Sequence, residues 1–162
     1  MRKFAGVALW GLMVVGLGAQ THARPDLNGV WRLNATESDF GQVPPPTQQS
    51  EEITQAGEEV AIAISIVRPE TKQSYTMRFQ VGGEATLMGG LFAENAPFRI
   101  VSVKGEWKDS VLLVTEKVQF QGADGRLEAR YQLAAGGKKL KKTTHVEMPG
   151  GALDTTTVYD RE

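Results

Sequence analysis

"QSYTMRFQV", residues 73–81, decides the fold class. Tyr75, Met77, Phe79 and Val81 fall on one face of an extended chain, and Ser74, Thr76, Arg78 and Gln80 on the other. Successive side chains of a strand point to opposite faces, so the pattern describes a strand with one buried and one wet face. "RLEARYQL", 126–133, repeats it, setting Leu127, Ala129, Tyr131 and Leu133 against Arg126, Glu128, Arg130 and Gln132. "EVAIAISIVR", 59–68, is apolar on both faces and is expected to be covered on both. Further strands are expected at 98–107, 110–120, 139–148 and 152–160, with shorter ones near 29–34, 50–56 and 84–88. Turn signals recur about every 8 to 12 residues, with "DG" and "GG" read as hairpin turns, and no segment carries a helical period. About ten sequential strands joined by hairpins predict an all-β chain folded as a single up-and-down antiparallel β-barrel, because closing the sheet removes its exposed edges. A two-sheet sandwich is the alternative.

Outward from this pattern, residues 1–23 read as a signal peptide. Arg2 and Lys3 precede an apolar run from Phe4 to Gly18, and Thr21-His22-Ala23 places small residues at −3 and −1 of a cleavage site after Ala23. The run falls short of the roughly 20 apolar residues that span a bilayer. The expectation is a barrel domain over 24–162, periplasmic or secreted, with no stable membrane anchor after cleavage. Removing 23 of 162 residues leaves 139, enough for one domain. The segment takes two of the 18 basic residues with it, leaving 16 against 19 acidic and a net charge of −3. That balance gives no argument for nucleic acid. Cysteine is absent, so the core alone must stabilise the fold.

"GVWRLNATESDF", 29–40, resembles the start of the calycin barrels, the lipocalins and fatty-acid-binding proteins. Gly29, Trp31, Leu33, Thr36, Glu37 and Phe40 follow the family's Gly-x-Trp and the residues after it. The stretch 105–140 is most similar to exported bacterial lipocalin-like proteins of uncertain function. The resemblance implies a barrel-end clasp in which Arg161 lies over the ring of Trp31, beside Gly29. Two family features are missing. Gly41 and Pro44-Pro45-Pro46 stand where fatty-acid-binding proteins insert a helical lid, and helices tolerate such residues poorly. Thr157 and Tyr159 occupy the places of that family's Arg-x-Tyr, so the carboxylate-binding arginine is lost.

Catalytic motifs are lacking. With His22 gone, His145 is the one histidine, too few for a zinc site, and it alternates with Lys141 and Thr143 on a polar face. No catalytic residue, metal or cofactor is expected. Lys138, Lys139, Lys141 and Lys142 read as a solvated hairpin end. One constellation follows from register. A two-residue loop at Lys108-Asp109 would oppose Val103 to Val114, Val101 to Glu116 and Arg99 to Val118, bringing Arg99 and Glu116 together inside a mostly apolar barrel. Arg99, Val101, Val103, Val114 and Glu116, with Met77, Phe79 and Tyr131, are thus the candidate ligand-binding residues. The expected function is non-catalytic binding of a small hydrophobic molecule by a monomer. A ligand-free structural or protein-interaction barrel is the alternative.

Overall fold

A computed structural model of the chain describes residues 24–87 and 98–162. The segment read as a signal peptide, residues 1–23, and Met88 of the expected strand near 84–88 lie outside the described residues. The rest form one antiparallel sheet of ten strands: β1 Gly29–Leu33, β2 Gln48–Ala56, β3 Glu59–Arg68, β4 Thr71–Gln80, β5 Thr86–Leu87, β6 Phe98–Lys108, β7 Val111–Phe120, β8 Ala123–Ala134, β9 Lys139–Met148 and β10 Gly151–Arg161. Their order is β4-β3-β2-β1-β10-β9-β8-β7-β6-β5. Each strand thus pairs with its neighbour in sequence except at two junctions. At one, β1 pairs with β10 through Trp31↔Arg161 and Leu33↔Tyr159. At the other, β4 and β6 meet as the sheet edges approach, through a parallel bridge between Val81 and Gly105 and a 2.8 Å bond from the Gly82 N–H to the Gly105 carbonyl. The result is the expected meander barrel.

Alternation builds the interior. Val60, Ile62 and Ile64 of β3, Met77 and Phe79 of β4, Val103 of β6, Leu112 and Val114 of β7, and Ala129 and Tyr131 of β8 form one buried core. The opposite face of β3 does not follow the expectation of double cover. Ala61, Ala63 and Ser65 are half-buried, because the small outward side chains present little apolar surface and no second layer among the described residues covers them. Between Asn34 and Thr47 the chain forms a 3-10 turn at Ala35–Glu37 and a bridge from Asp39 to Thr156, without an α-helix. The "DG" pair lies inside β8 instead of at a turn; Gln121 (φ 48) and Gly122 (φ 84) make that hairpin, where glycine carries the left-handed backbone without strain.

The β4–β6 junction depends on a missing side chain. A Cβ at Gly105 would stand 2.1 Å from the Phe79 ring, which is 3% exposed. Gly105→Ala is therefore expected to cost about 1–3 kcal/mol through overpacking. Urea denaturation checks this, and Phe79→Leu in the same chain should recover part of the loss. An unchanged midpoint for Gly105→Ala would show that the ring yields freely.

Candidate functional site

The β6–β7 hairpin turns at Asp109-Ser110, one residue later than expected, with Lys108 opposite Val111 and Trp107 opposite Leu112. Val103 therefore faces Glu116, and Gly105 faces Val114. A β-bulge follows between Ile100 and Ser102, so Val101 has no partner and the alternation reverses beyond it. Ile100 turns inward, at 2% exposure, and Arg99 turns outward, where its guanidinium donates to Gln119 Oε1 at 2.8 Å. The expected Arg99–Glu116 pair does not form. Val101 is half-buried and lines a surface hollow with Lys117 and Arg126. Val103, Val114, Met77, Phe79, Tyr131 and Glu116 do share the interior.

Another cation bears on Glu116 through its charge alone. Lys142, assigned from sequence to a wet lysine cluster, alternates with Leu140 and points inward; its neighbours Lys138 and Lys141 are exposed. Its ammonium donates to Glu51 Oε1 at 2.7 Å and sits 5.0 Å from the centre of the Tyr131 ring. The same Glu51 oxygen accepts from the Tyr159 hydroxyl at 2.8 Å, and Gln49 Nε2 donates to that hydroxyl at 2.7 Å. Glu51 is fully buried and Glu116 is 3% exposed. Among the described residues, three buried side-chain atoms have no hydrogen-bond partner: Glu51 Oε2, Glu116 Oε2 and the Tyr131 hydroxyl. That hydroxyl feels both carboxylates and lies within weak hydrogen-bonding reach of Glu51, but it makes no well-formed hydrogen bond.

Burial dominates the electrostatics. It pushes the Glu116 carboxyl up to about 7; the nearby Lys142 works against the shift and Glu51 works with it. Burial and both carboxylates raise the Tyr131 hydroxyl far above its ordinary value. Burial opposes the charge on Lys142, but Glu51 and the surrounding tyrosines overcome it and raise its pKa. Thr157 pairs with Lys142 across β10 and β9.

Beyond Glu116, the inward residues of β7 border an opening. An apolar pocket of about 490 Å3 is lined by Val118, Phe120, Ala123, Leu127, Val146 and Met148, with the Pro149-Gly150 turn. Every strand residue in this lining has the inward phase of its strand, set by Glu116, Ala129 and Lys142. Val118 follows Glu116 by two residues, and Leu127 is its cross-strand partner. Leu127 and Val146 are only half-buried, as walls of an open mouth would be, whereas residues at the other end are sealed.

That sealed end contains Gly29, Trp31 and Arg161. Trp31 is fully buried and its indole N–H donates to the Leu27 carbonyl at 2.9 Å. The Arg161 guanidinium lies 4.4 Å from the indole centre and donates to the Asp26 carbonyl at 3.0 Å. Gly29, at φ 133, starts β1 in a backbone region that favours glycine. His145 lies on the outer face, 2.7 Å from Asp154, whose bond raises its pKa first, and 3.4 Å from Glu147. No group of three or more potential metal ligands occurs among the described residues.

Glu51, Lys142, Gln49 and Tyr159 were not singled out from sequence as site residues. A signal existed, since Glu51 keeps phase with Ile53 and Lys142 with Leu140 and Val146 on apolar strand faces. No protein-family model matches the chain, and no curated protein matches it. Among solved structures, the zebrafish ileal bile acid-binding protein complexed with cholic acid is similar, with a TM-score of 0.52 at 15% identity over 83% of this chain and 98% of that one. The barrel is thus of the calycin fold.

Proposed function

We propose that the protein is a non-catalytic binding protein for a small, largely apolar molecule, held in the barrel with its polar end at Glu116, Tyr131 and Glu51. The observation that carries this reading is the set of three buried polar atoms without partners inside the barrel, with an apolar pocket at Val118 and Leu127, the next inward residue after Glu116 and its cross-strand partner. Buried polar groups are otherwise almost always satisfied, and an apolar cavity with a few polar groups is the usual layout of a ligand site. The cholic acid complex of the similarly folded protein supports it. The apolar run and Thr21-His22-Ala23 support export to the periplasm or medium, and residues 105–140 support kinship with exported bacterial lipocalin-like proteins. Native mass spectrometry of the protein purified from its own host tests both parts. The expected chain starts at Arg24 and carries an excess mass that organic extraction removes. An intact Met1 would refute export. A bare chain would favour the second reading, a ligand-free interaction module, which the full burial of Trp31, Met77, Leu112 and Tyr131 supports.

A further inference from the structure

We infer that the barrel selects an amphiphile whose head is a primary ammonium group over one whose head is a carboxylate. The inference rests on the binding reading above and goes on to the chemistry of the head group. The interior polar cluster holds two carboxylates, Glu51 and Glu116, and one cation, Lys142. Lys142 is engaged by Glu51 Oε1, so the second oxygen of Glu51 and Oε2 of Glu116 remain as acceptors with nothing to accept from. The Tyr131 hydroxyl, whose approach to Glu51 falls short of a well-formed hydrogen bond, is the third atom. An ammonium offers three N–H donors to three such atoms, and an alcohol only one.

Charge points the same way. With both acids ionised the cluster carries one negative charge in excess, and a buried ion without a counter-ion is costly. Glu116 relieves that cost by holding its proton up to about pH 7, burial being the principal cause. A cationic head provides the missing counter-ion and lets Glu116 ionise. An anionic head adds a third carboxylate beside two others and finds no uncommitted interior cation among the described residues, because Arg99 faces solvent and Arg161 lies over Trp31 at the sealed end. The groups that bear on Glu116 from the packed strands are Glu51 of β2, Tyr75 of β4, Tyr131 of β8 and Lys142 of β9. They supply one positive charge against one negative, so the ionised Glu116 itself is the surplus. The pocket beside Val118 and Leu127 accepts the chain of such a molecule with its head toward Glu116.

The test uses the organic-extracted protein and three probes of equal chain length: decylamine, decanol and decanoate, each displacing a neutral fluorescent reporter at pH 8. Decylamine is expected to displace the reporter at about tenfold lower concentration than decanoate, the margin of one well-made charge-assisted hydrogen bond, with decanol between them. Glu116→Gln should abolish most of that preference, whereas Glu59→Gln, the same charge change at an exposed site, should keep it. Titration calorimetry of the unaltered protein at pH 7 in buffers of different ionisation enthalpy gives a readout independent of any variant. Decylamine binding should release protons, because the ammonium favours the ionised carboxylate. Decanoate binding as tightly as decylamine, or proton uptake with the amine, would overturn the inference and leave the binding function intact. Reporter displacement by none of the three would remove both.

Discussion

Lys142→Met should destabilise the protein by about 3–5 kcal/mol, because it leaves the Glu51 carboxylate buried without its cation. Glu51 is fully buried, and the lysine side chain is 11% exposed, so water cannot replace the lost partner. Glu51→Leu should be comparably harmful, stranding the ammonium between Tyr131 and Tyr159. Replacing both residues together should cost less than either change alone, since a buried pair removed whole leaves no orphaned charge. Urea denaturation of the four proteins measures the cycle. Single losses below about 1 kcal/mol would place the pair in effective contact with water, as at a surface.

The second large effect belongs to the opposite end. Trp31→Ala should cost about 3–5 kcal/mol, through the cavity left by a fully buried indole. The same change frees the Leu27 carbonyl and removes the surface on which Arg161 rests. Arg161→Ala alone should cost less, because the guanidinium is exposed to solvent and a cation over an indole gives about 0.5–1 kcal/mol there. A cycle of Trp31→Phe with Arg161→Ala isolates the contact. Coupling near zero would mean that Arg161 holds the Asp26 carbonyl and nothing more.

Alternation made the strands legible. Each element with a clear period of two, such as Gln73–Gln80 or Arg126–Leu133, lies inside a strand of the barrel with the expected face inward. The interior chemistry was less legible for two physical reasons. A bulge adds one residue and inverts every face beyond it, and nothing in "FRIVSV" distinguishes Val101 from its neighbours. Arg99 was therefore read as inward, where Ile100 in fact stands. Lys142 was obscured by its context, a run of four lysines within five residues that differ only in which face each occupies. The partner that draws it inward, Glu51, lies 91 residues away, and pairing across such a separation emerges only when the sheet closes. Glu116 and Tyr131 were placed inside from the phase of their strands alone.

The bulge at Val101 also governs how this chain is compared with others. A homologous barrel that lacks the extra residue matches position by position up to Ile100 and again from Ser102, with a one-residue gap between. An ungapped comparison anchored on "KGEWKDS", 104–110, would align Arg99 with an inward position of such a protein and suggest a cavity arginine where Ile100 in fact stands. Where the gap is placed therefore decides whether the lineage is described as having kept a charged residue in its cavity or never having had one.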